Sequence, residues 1–264
     1  MSRMGTVLLV GAGPGAADLM TVRAVKALQA AGAVLYDALI DPEILELAPR
    51  ACLRIQTGKR AGKASLNQDA INRLMLKLAR RGLDVVRLKG GDPSIFGRSG
   101  EERAFLEAHG VPIHIVPGVT AASAAAAQFG FPLTHRGEAR RVTFATARTQ
   151  DGALAEEGWT GLADPETTAV FYMGRDTAQA LARRLMDAGR APSTPALAVE
   201  NAGRSDARLV STDLGGLGRA VMGAGFEGPV LLVVGEAARQ ARWPSVSSSA
   251  SQWSDQDWPA LRAR

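Results

Sequence analysis

The chain has 264 residues, 46% of them hydrophobic and 22% charged, with a mean hydropathy near zero. That balance excludes a disordered, fibrous or membrane-spanning protein and leaves one large or two modest globular domains. A net charge of +5 with only 5% aromatic residues is too weak a signal for a nucleic-acid module, which needs aromatic interleaving, but it hints at anionic partners.

Thr6–Val10 reads as a buried strand, followed by Gly11-Ala12-Gly13-Pro14-Gly15 and a helix from about Asp18 to Ala31, with Leu19, Val22, Val25 and Leu28 on one face. The amino terminus enters that strand with no charged n-region or long apolar run, so a cytoplasmic location is expected. Val34-Leu35-Tyr36 is the next strand and ends at Asp37. Asp41-Pro42-Glu43 then has the N-cap, first-turn proline and acidic first turn of a helix start. The single cysteine, Cys52, cannot form an internal disulfide and reads as core; with three scattered histidines it makes no metal-ligand cluster, and no metal is expected.

Ser65–Gln68 predicts a capping box for a helix to about Arg80, with Gly82 ending it. Val85-Val86-Arg87-Leu88 is the fourth strand, running into Gly90-Gly91-Asp92-Pro93. A helix from about Gly100 stops at His109-Gly110. Ile113–Val116 is the fifth strand, before Pro117-Gly118-Val119-Thr120 and an Ala-rich helix. Strands alternating with helices predict an open, mostly parallel sheet.

The texture changes near residue 137. Strands are expected at 142–147, 169–173, 196–200, 208–212 and 230–234, and helices near 177–188 and 214–222. A short polar loop between 200 and 208 predicts a hairpin and therefore a mixed sheet. The expected domains are 1–136, an N-terminal α/β domain with the Gly-rich loops, and 137–243, a C-terminal α/β domain. Residues 244–264 read as a loose polar extension.

Gly11-x-Gly13-x-x-Ala16 after a strand, with Asp37 ending the next strand, also fits a dinucleotide fingerprint and hence a nicotinamide-dependent oxidoreductase. A bare structural turn fits as well, and Pro14 removes one N–H donor from any phosphate cradle. Gly90–Pro93 tips the reading towards a different chemistry. In a parallel sheet its loop opens on the same carboxyl edge as the loops at 11–15, 37–41, 58–63 and 117–121. A P-loop is excluded because five residues separate Gly91 from Gly97 and Arg98 stands where Lys is needed. No Gly-x-Ser-x-Gly elbow or His-x-x-x-His pair supports a serine hydrolase or a zinc enzyme. Of the five lysines, Lys59, Lys63 and Lys89 fall in or beside Gly-rich turns, where a solvated loop position is the common explanation. Arg140-Arg141 reads most simply as a solvated strand edge.

Val10–Gly15, Leu35-Tyr36-Asp37, Gly58-Lys59-Arg60-Ala61-Gly62-Lys63, Arg87–Pro93, Phe96–Glu102, Pro117–Ala121, Pro132-Leu133-Thr134-His135-Arg136 and Phe171-Tyr172-Met173-Gly174 occur in order along residues 6–240. This series resembles the uroporphyrinogen-III C-methyltransferases of the tetrapyrrole methylase family. The Gly-Pro-Gly turn and Gly-Gly-Asp-Pro loop are shared across that family. Gly-Lys-Arg-Ala-Gly and Pro-Leu-Thr-His-Arg are more particular to the uroporphyrinogen enzymes. The chain departs from the pattern at Ser99, at Ala147-Arg148 and at Asn201-Ala202.

The resemblance implies a two-domain tetrapyrrole methylase fold, with a mostly parallel N-terminal sheet, a mixed C-terminal sheet and the active site in the cleft between domains. It also implies a homodimer and S-adenosyl-L-methionine as methyl donor, with S-adenosyl-L-homocysteine as product. The implied reaction is methylation of uroporphyrinogen III at two pyrrole carbons to give precorrin-2; the nearest alternative is a methylase acting on a later precorrin. Carried over position by position, the cofactor contacts are Pro14, Gly90, Gly91, Asp92, Ile95, Thr120, Ala121, Met173 and Ala202. Asp37 is the proton acceptor and Lys59 the proton donor, and Arg98, Glu101 and Arg136 hold the tetrapyrrole. Read as residues alone, Asp37 and Asp92 equally suit turn capping and Met173 suits a core. The tetrapyrrole's eight carboxylates call for a basic mouth, for which Lys59, Arg60, Lys63, Arg98, Arg136, Arg140 and Arg141 are candidates.

Overall fold

Short, near-continuous apolar runs such as Val7–Val10 and Ala33–Tyr36 commit segments of the first half to a sheet covered on both faces. The computed structural model describes residues 3–58, 66–146 and 158–242. The chain divides into two compact units, Met1–Ala124 and Ala125–Arg264.

Unit 1 carries strands β1 (Val7–Gly11), β2 (Ala33–Tyr36), β3 (Leu53–Gln56), β4 (Val85–Lys89) and β5 (Ile113–Val116) in the order β3-β2-β4-β1-β5, and every pairing is parallel. Its helices are α1 (Val22–Gln29), α2 (Pro42–Leu45), α3 (Gln68–Arg80), α4 (Ser99–Ala108) and α5 (Ala121–Gln128), the last crossing the division into the second unit. The period of two sorts side chains cleanly. Val10, Val34, Val86 and Leu88 pack on one face with Ala24, Leu28 and Ile44 of α1 and α2. Val7, Leu9, Leu35 and Val85 pack on the other with Ile71, Met75 and Leu106 of α3 and α4. Leu9, Leu35 and Leu106 are fully buried, and each such side chain contributes about 2 kcal/mol to holding the layers together.

Helix starts follow side-chain capping, and here the structure corrects two expectations. The helix expected from Asp18 begins only at Val22: Ala17–Leu19 forms a 3-10 turn, and the Thr21 side chain accepts from the Ala24 N–H to start α1. α3 is capped by Asn67, which accepts from Ala70 N–H at 2.8 Å, and not by Ser65, which lies outside the described residues. Asp41 and Pro42 start α2 as expected. Cys52 is buried in the unit 1 core, where burial pushes its thiol pKa up against the lowering effect of Arg54.

Unit 2 holds β6 (Arg141–Thr146), β7 (Thr167–Tyr172), β8 (Pro195–Glu200), β9 (Arg208–Asp213) and β10 (Val230–Val234) in the order β6-β7-β10-β8-β9. β6 and β7 are parallel and the other pairings antiparallel, so the sheet is mixed, with β8 and β9 as the expected hairpin. Helices α6 (Trp159–Ala163), α7 (Ala178–Asp187) and α8 (Leu217–Gly223) cover it, with Phe171, Leu181, Leu185, Leu214 and Leu232 in the core. Trp159 stacks on Phe171 at 6.2 Å between ring centroids; α6 is too short to announce itself by periodicity. Edge strand β6 carries Arg140 beside it and Arg141 within it. Arg140 pairs with Glu166 at 2.6 Å and Arg141 with Asp164, so these cations charge an exposed edge. No helix among the described residues is long and apolar enough to cross a membrane.

Candidate active site

In unit 1 the chain leaves β1 towards β2 on one side and leaves β4 towards β5 on the other, while β1 and β4 are neighbours. That reversal makes the carboxyl ends of β1 and β4 the switch point of the sheet, where a crevice opens. The two glycine-rich turns meet there. Gly13 N–H donates to the Gly91 carbonyl at 3.2 Å and Gly91 N–H to the Gly13 carbonyl at 2.7 Å. Both glycines take positive φ, +75° and +68°, which a side chain would strain. Pro14 follows this bridge directly. A β-carbon on Gly118, in the loop after β5, would stand 2.2 Å from the Gly91 carbonyl oxygen, so three strand ends are in backbone contact.

The dinucleotide reading fails on this geometry. Ten residues separate Gly11 from the first residue of α1, and the Thr21 side chain already takes the Ala24 N–H that a phosphate would use. The Gly90–Asp92 loop is built differently. Nothing lies within 4 Å of a β-carbon placed on Gly90. Asp92 accepts from Ser94 N–H at 2.7 Å, from the Ser94 hydroxyl, and from Gly118 N–H at 2.9 Å. Burial works to raise the Asp92 pKa, but these hydrogen bonds together outweigh it and hold the carboxyl below its ordinary range. The loop-fixing role read for Asp92 is thus visible. The Ile95 N–H donates to the Asp92 carbonyl at 3.1 Å, and the Thr120 carbonyl accepts from Ala124 N–H at the start of α5; Ala121 is half-buried.

Asp37 follows β2 on the side of the sheet that faces α3 and α4. Its Oδ1 accepts from Arg87 Nη2 at 2.7 Å and from the Thr57 hydroxyl at 3.3 Å, and its side chain is 34% exposed. Arg87 belongs to a buried ionic cluster that the motif reading passed over. Arg87 and Lys89 alternate on β4, both almost fully buried, and share the completely buried Glu102 of α4. Lys89 Nζ lies 3.1 and 2.9 Å from the two Glu102 oxygens and Arg87 Nε 3.3 Å from Oε1, to which Gln68 also donates. Burial lowers the Lys89 pKa first and Arg87 adds to it, against the raising effect of Glu102. Lys89 is therefore no solvated loop lysine. The available signal was two cations at alternate positions in a strand otherwise made of Val and Leu.

Arg98 and Glu101 pair bidentately with each other at 2.8 and 2.7 Å, both about half exposed. Arg98 is the left-handed residue that starts α4, at φ 56°. Hydrogen bonding to its partner raises the Arg98 pKa and lowers that of Glu101. Unit 1 thus brings Pro14, Asp37, Gly90–Asp92, Ile95, Arg98, Glu101, Thr120 and Ala121 to the carboxyl side of one sheet. Lys59, Arg60, Lys63, Ala147 and Arg148 lie outside the described residues.

The other residues belong to unit 2. Met173 follows β7 at φ 57° with 60% of its surface exposed, so it is not core. Ala202 is buried in a turn after β8 between Asn201 and Gly203, both at positive φ, and Gly203 N–H donates to Gln128 Oε1 at 2.9 Å. Arg136 is exposed on a turn closed by His135 and Ala139, whose backbones exchange two hydrogen bonds of 2.9 Å.

Residues 6–218 match the family described as Tetrapyrrole (Corrin/Porphyrin) Methylases. The chain is 48% identical over 239 residues to a siroheme synthase from Chromobacterium violaceum, covering 90% of this chain and 51% of that one. It is 42% identical over 253 residues to the chloroplastic S-adenosyl-L-methionine-dependent uroporphyrinogen III methyltransferase of Arabidopsis thaliana, covering 94% of this chain and 68% of that one. A crystal structure of uroporphyrin-III C-methyl transferase from Thermus thermophilus complexed with S-adenyl homocysteine superposes with a TM-score of 0.76 at 40% identity, covering 89% of this chain and 99% of that one. The chain spans about half the length of the bacterial siroheme synthases it matches.

Proposed function

The chain belongs to the tetrapyrrole methylase family, and from that premise we propose that it methylates uroporphyrinogen III at two pyrrole carbons to give precorrin-2. The observation that carries this reading is the grouping at the carboxyl edge of unit 1, where a polar, partly exposed carboxylate, Asp37, shares the sheet end with a glycine bridge built from two separate turns. The methyl donor is S-adenosyl-L-methionine. The residues suit such a ligand: nothing lies within 4 Å of a β-carbon placed on Gly90, so a ligand can approach the backbone closely there. When bound, it supplies a methyl group already activated on a sulfonium.

The chain's own work is then alignment, exclusion of water and handling of one proton per methyl transferred. A pyrrole ring alkylated at carbon is cationic and regains neutrality by losing a proton, which Asp37 accepts. Lys59 as proton donor, and Met173 and Ala202 as cofactor contacts, rest on the family resemblance alone. Arg98, Glu101 and Arg136 bind the substrate's carboxylates and pyrrole N–H groups; the Arg98 fork is already shaped for a carboxylate by its pairing with Glu101. A homodimer in the cytoplasm completes the proposal and is tested by sedimentation equilibrium and cell fractionation.

The decisive assay is anaerobic incubation with S-adenosyl-L-methionine and enzymatically generated uroporphyrinogen III, followed by mass spectrometry. Gain of two methyl groups is expected. Binding of the donor without methylation of this tetrapyrrole would move the substrate to a later precorrin. Asp37→Asn is expected to keep donor affinity in calorimetry while kcat falls about 100-fold or more. Equal loss of both in a folded protein would make Asp37 structural.

A further inference from the structure

Two cations inside a parallel sheet call for a reason, because burying charge is costly and apolar residues of similar volume commonly serve the fold as well or better. On the face of β4 that looks towards α3 and α4, Val85 is followed by Arg87 and then Lys89, all buried. The groups that face them are Glu102 from α4, Gln68 and Asn72 from α3, and Asp37 from the end of β2. Glu102 neutralises one of the two cations, and both of its oxygens lie within 3.1 Å of Lys89. Among the described residues, the further carboxylate that pairs with the remaining positive charge, on Arg87, is Asp37.

The Arg87 fork is tied at every nitrogen. Nε donates to Glu102 at 3.3 Å, Nη1 to the carbonyls of Leu88 at 3.3 Å and Leu35 at 3.5 Å, and Nη2 to Asp37 Oδ1 at 2.7 Å. A planar guanidinium fixed at Nε and Nη1 cannot turn, so the direction of Nη2 is set by the sheet and by Glu102. The Thr57 hydroxyl also binds Oδ1. Among the described residues both of these Asp37 side-chain bonds therefore fall on Oδ1, while the side chain stays 34% exposed.

Resting on the reading of Asp37 as proton acceptor, we infer that Glu102 and Arg87 are positioning residues for the reaction: Glu102 orients Arg87, and Arg87 holds Asp37 by Oδ1 so that Oδ2 is presented to the tetrapyrrole. Lys89 balances Glu102 and leaves the charge of Arg87 for Asp37. None of the three cluster residues touches substrate. They act through the acceptor, so their removal changes turnover and leaves the binding of both substrates intact.

A double-mutant cycle in the intact chain separates this from a structural role. Arg87→Lys keeps the charge and loses the fork. Alone, it is expected to lower kcat about tenfold, a typical loss for a slightly misplaced catalytic group, with KM for uroporphyrinogen III and calorimetric Kd for S-adenosyl-L-methionine within about twofold of wild type. On the Asp37→Asn background it is expected to cause no further loss, because the group it orients is gone. Multiplication of the two losses, or a rise in KM with kcat unchanged, would overturn the inference and leave the Asp37 reading standing. An Asp37→Asn enzyme with wild-type kcat would overturn both. Glu102→Gln runs the same cycle with a conservative shape should Arg87→Lys fail to fold, and the same additivity in that cycle would refute the relay.

Discussion

Glu200 and Asp92 are carboxylates that burial alone would push up, and each is held down by hydrogen bonds that outweigh it. For Glu200 the donors are the N–H groups of Glu227 and Gly228, both 2.6 Å from Oε1, and Arg208 Nε, 2.6 Å from Oε2. A carboxyl whose folded pKa lies below its unfolded value, about 4.3, stabilises the fold above that value and loses the contribution as pH falls through the lower, folded one. Glu200→Gln keeps an oxygen for the two N–H donors and sets an amide against Arg208. It is expected to cost about 1–3 kcal/mol at pH 7, and the gap to the wild type in urea melts is expected to narrow progressively as pH falls below about 4. A gap that keeps its size as pH falls would show that the charge is not what these donors bind. Individual residues of this kind were the hardest to read from sequence. Asp37 stood at a recognisable strand end, whereas Glu102 became meaningful only when α4 laid it against β4. Lys89, next to Gly90-Gly91, carried the local signature of a loop although the strand continues through it. Pairing of Arg98 with Glu101 follows from their spacing of three on a helix start, a signal present in the sequence and passed over in favour of the substrate.

Elements were legible where their ends are marked by side chains that bond their own backbone. Asp41-Pro42 fixed the start of α2, and Gly82 and Gly110, both at positive φ, closed α3 and α4. The start of α1 was misjudged because apolar spacing continues through Leu19, although Thr21 supplies the cap. Tertiary closeness of strand ends leaves a fainter trace, namely glycines with no local need for flexibility. Gly118 is one: a β-carbon there would lie 2.2 Å from the Gly91 carbonyl oxygen and 2.9 Å from Gly11 Cα. Gly118→Ala is therefore expected to wedge β1, β4 and β5 apart at their carboxyl ends, costing about 1–3 kcal/mol and weakening donor binding with it. Gly90→Ala meets nothing within 4 Å, so its melting temperature should match the wild type while calorimetric affinity for S-adenosyl-L-methionine drops about tenfold or more. Normal affinity in a folded Gly90→Ala protein would remove this turn from the donor site.

Across the whole chain a net charge of +5 stands opposite a proposed substrate with eight carboxylates. Long-range attraction of that kind raises encounter rates and decays with a Debye length of about 30 Å at 0.01 M salt and about 10 Å at 0.1 M. Much of the positive charge among the described residues is spent internally: Arg87 on Asp37 and Glu102, Lys89 on Glu102, Arg140 and Arg141 on Glu166 and Asp164, Arg208 on Glu200. Arg98 is half exposed but paired, so it meets the substrate as one half of a neutral couple. Salt is therefore expected to lower kcat/KM for uroporphyrinogen III by about tenfold between 0.02 and 0.5 M, with kcat itself little changed. Arg98→Gln leaves Glu101 unpaired and turns a neutral spot negative. Its loss in kcat/KM should be largest at low salt and shrink as screening removes the repulsion, whereas a loss of the same factor at every ionic strength would mark Arg98 as a contact made only after docking. A wild-type kcat/KM that ignores salt would show that the excess charge does not steer the substrate, and the basic side chains would then act only at contact distance.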